Sequence, residues 1–359
     1  MKSFVSRFLA VVALVALLPV APSWAISAPP DLHLPVSTAE YRPAPDVTAT
    51  SWIVFDATDG VVLASRNADE PRPMASTTKM MTALIALEES DPETIVTVSD
   101  RAADIGEAEI GLISGEQLPI SGLIEAMIVR SANDAAVAVA EAIGGDVETF
   151  VELMNARAAE LGLTRSQFAN PHGLDAEEHV STARDLLRLG LAAMANPEFR
   201  RAASLEETSL PPAPDGTPRV AQATNELLQT YEGAIGVKTG FTFQAGLVLV
   251  AAAERDDRTI YVVVMGSEGV GAHFADAVAL LDYGFGGHEL VRAVAGESVF
   301  DGGALRRTAL LESQFHIAAL LARPQFTEAA PPAASISEPA VLPGIVEAFG
   351  WLFGGNENG

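Results

Sequence analysis

Ser76 and Lys79 lie three residues apart in the run Pro73-Met74-Ala75-Ser76-Thr77-Thr78-Lys79-Met80-Met81-Thr82-Ala83-Leu84-Ile85-Ala86-Leu87. On a helix, i and i+3 share a face, so this spacing brings an amine within reach of a hydroxyl. Met80, Ala83, Leu84 and Leu87 then hold the helix in a core. A hydroxyl activated by an adjacent base is a nucleophile for acyl transfer. The first helical turn also offers free N–H groups and the positive end of the macrodipole, which favour a developing oxyanion. The lysine count sharpens the reading. The chain has only Lys2, Lys79 and Lys238 against nineteen arginines. An amine kept where arginine is the habit points to a group that must release its proton, which guanidinium does not do. Taken alone, Ser-x-x-Lys also describes an N-cap followed by a surface lysine.

Two further polar groups follow in chain order. Ser131-Ala132-Asn133 lies between a helical face of Leu123, Ile124, Met127 and Ile128 and the alanine-rich stretch Asp134–Ile143. Polar side chains at such a break either point into a cleft or cap and turn the chain. Lys238-Thr239-Gly240 falls on the strand-like run Ala234–Thr242. His172 and His179 have no third ligand at metal-binding spacing and read as structural or cleft-lining.

The elements that must position these groups follow from pattern. Trp52–Asp56 and Val61–Ala64, joined across Asp59-Gly60, read as a β-hairpin leading into the Ser76 helix. Ser99–Gly115 reads as surface loop. Thr149–Leu161 is a helix ended by Gly162. Asn170-Pro171-His172-Gly173 is a turn, and Thr182 with Asp185 offers a capping box for a helix to Ala195 that Asn196-Pro197 ends. The prolines between 211 and 218 mark a long connection. Leu247–Ala253 and Thr259–Met265 form a hairpin across Asp256-Asp257. Phe274, Val278, Leu280 and Leu281 support a last helix ending near Tyr283-Gly284-Phe285. Strands at both ends around a helical block predict an α+β domain whose sheet joins the two ends.

Composition bounds the function. The 359 residues are 49% apolar, enough for a sizeable core. The formal charge is −25, a field that repels a phosphate backbone and argues against nucleic-acid binding. Cysteine is absent, which excludes disulfides, thiol nucleophiles and iron–sulfur chemistry. Residues 1–25 read as a secretory signal: Lys2 and Arg7, the apolar run Phe8–Val20, then Ser23-Trp24-Ala25 as the cleavage site. Residues 26–47 are a Pro-rich lead-in.

Ser76-x-x-Lys79, Ser131-x-Asn133 and Lys238-Thr239-Gly240, in that order, resemble the motif set of penicillin-binding serine peptidases. The flanks Ala75–Thr82, Ser131–Ala136 and Gly236–Thr242 resemble the low-molecular-mass D-alanyl-D-alanine carboxypeptidases. So do Asn170–Leu174 and Ser181-Thr182-Ala183 with Asp185. The resemblance covers residues 48–287. It implies a β-lactamase/transpeptidase-like α+β fold, an antiparallel sheet flanked by helices with a helical subdomain. It also implies removal of the terminal D-alanine from peptidoglycan stem peptides, covalent binding of β-lactams, no cofactor or metal, and a periplasmic or cell-wall location. In that reading Ser76 is the nucleophile, Lys79 its base, Ser131 a proton relay to the leaving amine, and Asn133 orients Lys79 and the substrate amide. Lys238 and Thr239 hold the substrate carboxylate, and Gly240 lets the backbone come close. The N–H groups of Ser76 and Phe241 form the oxyanion hole. His273 stands where relatives often carry an arginine for the carboxylate, and residues 288–328 are too few for their full second domain. The alternatives are a D,D-endopeptidase, a β-lactamase, disfavoured because no Glu-x-x-Leu-Asn sequence follows Ser131, and a slow-turnover penicillin-binding scaffold.

Residues 329–359 comprise an Ala/Pro linker and an apolar tail, in which Ile345, Val346, Phe349, Leu352 and Phe353 make an apolar face bordered by Trp351. Relatives often carry a membrane-surface helix there. Nothing after Arg323 is basic, so contact with an inner-membrane surface would rest on apolar burial without attraction to anionic lipid. The expected outcome is weak, salt-insensitive liposome flotation that disappears when residues 341–359 are deleted. Equal flotation of full and truncated chains would exclude the tail as an anchor.

Overall fold

In the computed structural model, residues 43–295 are described, with side chains to 286. The predicted sheet is present, with strand order β2-β1-β11-β10-β9. Its strands are β1 (Ser51–Asp56), β2 (Val61–Arg66), β9 (Ala234–Thr242), β10 (Gly246–Arg255) and β11 (Arg258–Ser267). Three short antiparallel pairs complete the strands: β3 (Arg72–Pro73) with β6 (Val180–Ser181), β4 (Ile95–Thr97) with β5 (Gln117–Pro119), and β7 (Glu207–Leu210) with β8 (Arg219–Gln222). The helices are α1 (Lys79–Glu89), α2 (Asp100–Ala103), α3 (Ile120–Val129), α4 (Asn133–Gly144), α5 (Val147–Glu160), α6 (Ala183–Ala195), α7 (Pro197–Ala203), α8 (Leu227–Thr230) and α9 (Ala272–Ala295).

The central strands read as unbroken apolar runs because both faces of the sheet are covered. On β10 and β11, Val248, Val250, Ala252, Tyr261, Val263 and Met265 face the core shared with the helical block. Leu249, Ala251, Ala253, Ile260, Val262 and Val264 face a second core beneath α9. Pairing of β1 with β11, Ser51 opposite Met265 through Asp56 opposite Ile260, joins the two ends of the chain as the pattern predicts. The β10–β11 turn holds Asp256 and Asp257 at φ of 47° and 62°, the left-handed pair that a two-residue hairpin needs. Helix α1 is buried from Lys79 through Ala86, so it is the helix around which the block packs.

Several elements depart from the sequence reading. Ser76 is not inside an α-helix: Ala75–Thr78 is a 3₁₀ turn that leads into α1. Ser99–Gly115 is not all loop, since Ser99 accepts from the Ala102 N–H and caps α2. The Thr182 hydroxyl does accept from the Asp185 N–H, but the Asp185 carboxylate turns to the Arg165 N–H and the Ser166 hydroxyl instead of closing the box. Asn196 ends α6 and at once caps α7, whose first residue is Pro197. The prolines after Leu210 occupy the tip of the β7–β8 hairpin. Helix α9 runs through Gly284 because that glycine serves close packing: a Cβ there would lie 2.6 Å from Cγ2 of Ile260. Residues 1–42 and 296–359, which hold the proposed signal, most of the lead-in and the tail, lie outside the described residues.

Candidate active site

The site forms where the 3₁₀ turn, the start of α4, the Asn170–Gly173 turn and strand β9 meet. Lys79 is completely buried. Its Nζ lies 2.9 Å from Ser76 Oγ, 2.8 Å from Asn133 Oδ1 and 2.5 Å from the His172 carbonyl oxygen. Asn133 Nδ2 donates to the Gly106 carbonyl at 3.1 Å, which fixes the amide so that its oxygen faces the lysine. The amine therefore meets two groups that only accept, and a neutral amine has only two hydrogens. Both are taken. Its lone pair then faces Ser76 Oγ, the arrangement in which serine donates and lysine acts as base.

Burial first, and the Lys238 cation second, hold the Lys79 amine well below the ordinary lysine range, against a smaller upward pull from Asp134 and Glu107. Lys238 is also buried; its Nζ donates to Ser131 Oγ at 3.0 Å and to the Thr239 carbonyl at 2.9 Å. Burial lowers it to about 7.

Backbone strain and close approach set the two serines. Ala75 (φ 49°) and Ser131 (φ 67°) occupy the left-handed region that residues with a Cβ rarely adopt. Around Ala75, the Thr77 hydroxyl donates to Met74 O at 2.6 Å and the Thr78 hydroxyl to Ala75 O at 2.8 Å. Glycines flank Ser76 on both sides. A Cβ on Gly173 would lie 2.2 Å from the Ala75 carbonyl oxygen, and one on Gly240 would lie 3.0 Å from the Ser76 nitrogen. Asn133 N donates to Ala108 O at 2.6 Å, and the buried Asp134 carboxylate accepts from the N–H groups of Ile110, Leu112 and Ala135. That carboxylate pins the 106–112 loop against the helix bearing Asn133.

All eight residues singled out from sequence lie on these segments. Ser76, Lys79 and Asn133 come together directly, and Ser131 with Lys238 makes a second hydrogen-bonded pair. Thr239 lies beside it, its Oγ1 2.6 Å from that of Thr224. Gly240 packs on the Ser76 amide, and Phe241 stands edge-on to the exposed Phe243 with ring centroids 5.7 Å apart. The sequence reading missed the His172 carbonyl, the anchoring by Asp134 and the contact through Thr224. Adjacency to Asn133 was the one signal available for Asp134.

The histidines are held by hydrogen bonds. Ala169 N–H donates to His179 Nδ1 at 2.9 Å, so the ring proton sits on Nε2 and points to Thr78 Oγ1 at 2.8 Å. His172 Nδ1 accepts from the Leu174 N–H at 3.2 Å. His273 is buried against the Phe274 ring, with no hydrogen-bond partner for Nδ1 among the described residues. Burial lowers it to about 4, so it is neutral at pH 7.

A family model described as D-alanyl-D-alanine carboxypeptidase matches residues 38–269. The chain is 38% identical to D-alanyl-D-alanine carboxypeptidase DacB2 of Mycobacterium tuberculosis over 256 residues, covering 70% of this chain and 87% of that one. It is 33% identical to DacF of Bacillus subtilis, covering 67% of this chain and 63% of the relative. The crystal structure of the Streptomyces K15 DD-transpeptidase superposes with a TM-score of 0.64 at 30% identity, covering 68% of this chain and all of that one.

The histidines set an acid limit. Burial, then the Lys79 charge, lowers His179 to about 4 and His172, with a further contribution from His179, to about 3. The unfolded chain takes up protons near pH 6.5 that the folded histidines refuse, so their contribution to stability is complete above about 6.5 and is lost as pH drops toward 4. For His179 the shift corresponds to about 3 kcal/mol at about 1.4 kcal/mol per pKa unit. Urea denaturation at pH 7 and pH 4.5 should show this loss, and His179→Gln should lessen the difference. An unchanged difference in that variant would contradict the assignment.

Proposed function

Because the chain belongs to the D-alanyl-D-alanine carboxypeptidase family, we propose that it removes the terminal D-alanine of peptidoglycan stem peptides through an ester on Ser76, and that β-lactams acylate the same oxygen. The observation that carries this is the position of Lys79 Nζ, 2.9 Å from Ser76 Oγ and otherwise held by two groups that only accept.

In the first half-reaction Ser76 O–H gives its proton to Lys79 as Oγ attacks the carbonyl of the penultimate D-alanine. The Ser76 and Phe241 N–H groups receive the oxyanion. Ser131 relays the proton from Lys79 to the amine of the departing D-alanine, which leaves Lys79 neutral again, while Lys238 and Thr239 hold its carboxylate. That carboxylate replaces lost hydration around Lys238 and favours its charged form. With His273 neutral, the positive charge at this end of the site comes from Lys238. In the second half-reaction water gives a proton to Lys79 and cleaves the ester, restoring Ser76. For the protein's location, residues 1–25 support export to the periplasmic or cell-wall space, and the tail supports weak contact with a membrane surface.

Ser76→Ala should abolish both D-alanine release from a pentapeptide ending in D-Ala-D-Ala and covalent labelling by a fluorescent penicillin; labelling that survives would overturn the assignment. Lys79→Arg should be nearly as damaging, since guanidinium does not take the proton. For the native chain, kcat/KM should rise with pH as Lys79 deprotonates and fall above about 7 as Lys238 loses its charge. In Lys238→Arg the alkaline fall should vanish from the residual activity. An alkaline limb that persists would remove Lys238 from carboxylate binding.

A further inference from the structure

Two buried groups beside the nucleophile take no part in either half-reaction. Thr78 and His179 are 0% and 2% exposed, and Thr78 Oγ1 lies 2.8 Å from His179 Nε2. Their hydrogen bonds run in one direction. Ala169 N–H occupies His179 Nδ1, so Nε2 carries the ring proton and donates to Thr78 Oγ1. The Thr78 hydroxyl has a single proton and gives it to the Ala75 carbonyl oxygen at 2.8 Å. Burial lowers His179 to about 4, so the ring is neutral at pH 7 and keeps this arrangement.

The hydrogen-bond chain ends on a peptide unit with a second use. The Ala75 carbonyl and the Ser76 N–H belong to one planar trans group and point in opposite directions. A bond that fixes one therefore aims the other. Ser76 N–H is one of the two donors assigned to the oxyanion, with that of Phe241. The two ends of the unit meet different walls: a Cβ on Gly173 would lie 2.2 Å from the Ala75 oxygen, and one on Gly240, next to Phe241, 3.0 Å from the Ser76 nitrogen. The left-handed φ of 49° at Ala75 is unfavourable for a residue with a Cβ and has to be held by its surroundings. A carbonyl that accepts a hydrogen bond also makes the N–H of its own amide a stronger donor, and in a dry interior such polarisation passes along a chain.

We propose that Thr78 and His179 are positioning residues for the oxyanion hole: His179 orders the Thr78 hydroxyl, which locks and polarises the Ala75–Ser76 peptide so that its N–H is aimed before substrate arrives. This rests on the acyl-enzyme reading above. Both side chains act through the peptide, and no proton leaves the chain. A donor already aimed needs no reorganisation during reaction, so the benefit falls on the transition state. Acylation and ester hydrolysis both pass through an oxyanion at this place, so both should slow together when the aim is lost.

The test measures kcat and KM for D-alanine release by the full chain, together with inhibition by a peptide boronic acid, whose boron bonds to the serine oxygen and sets a negative oxygen in the same hole. Thr78→Val, which keeps the shape and removes the hydroxyl, should lower kcat about thirtyfold, short of the roughly 10²–10³ that follows loss of a whole oxyanion donor. The boronic acid should weaken by a similar factor while KM moves less than about twofold. Thr78→Ser should restore both. His179→Gln, whose amide nitrogen reaches the Nε2 position, should stay near the native kcat, whereas His179→Asn, whose amide reaches only the Nδ1 position, should lose about tenfold. If circular dichroism shows that Thr78→Val does not fold, the two His179 variants decide. Native kcat in Thr78→Val, a fall without weaker boronic acid binding or without recovery in Thr78→Ser, or equal kcat in the two His179 variants overturns this assignment alone. A native chain that neither releases D-alanine nor takes up fluorescent penicillin would overturn the acyl-enzyme reading as well.

Discussion

Two lysine amines are buried in one small site, and the rest of the structure follows from keeping them there. A buried ammonium is unfavourable unless it is paired, yet the partners supplied are neutral: two hydroxyls, an amide oxygen and two backbone carbonyls. A carboxylate beside Lys79 would have stabilised its charge and opposed the proposed role as a base. Asp134, the carboxylate that acts most on Lys79, is instead spent on N–H groups of the 106–112 loop and Ala135. Burial first, then repulsion by the Lys238 cation, holds Lys79 well below the ordinary lysine range among these neutral partners.

Holding neutral acceptors around an amine demands backbone precision, because carbonyls cannot swing into place as side chains do. This accounts for the conformations found at the site. The Asn170–Gly173 turn presents the His172 carbonyl to Lys79 and, through Thr82 Oγ1 donating to Pro171 O at 2.6 Å, is tied to α1 itself. Its glycine lets that turn rest on the backbone just before Ser76. The left-handed Ala75 and Ser131 are strain tolerated where the surrounding hydrogen bonds over-determine the chain.

Much of this was legible in the sequence, for physical reasons that differ by element. The sheet could be read because strands buried on both faces leave continuous apolar runs. Lys79 could be singled out because lysine is otherwise avoided in this chain. What could not be read were features whose cause lies in contacts distant in sequence. Ala75 carries no glycine signature for its left-handed backbone, so the 3₁₀ turn at Ser76 looked helical. Gly284 looked like a helix stop because nothing local shows that Ile260 presses on it. Asn196 and Pro197 signal an end and a beginning equally well, and α7 was lost to the first meaning. The β7–β8 hairpin was hidden by its proline-rich tip, and with it Thr224.

Placing Lys238 to Phe241 on β9 resolves a conflict that any sheet-based site faces. Among the described strands β9 is at the edge of the main sheet, and an exposed edge invites pairing with other chains. Here the 3₁₀ turn covers part of it, with Gly240 packed on the Ser76 amide, and Lys238 sets a buried amine on the same strand. A flat hydrophobic strand from another molecule would have to displace that turn and desolvate that amine further. A short peptide ending in a carboxylate meets neither obstacle, because it brings the counter-charge that Lys238 lacks. The features that make the edge poor for aggregation are therefore the ones that suit the small anionic terminus of the proposed substrate.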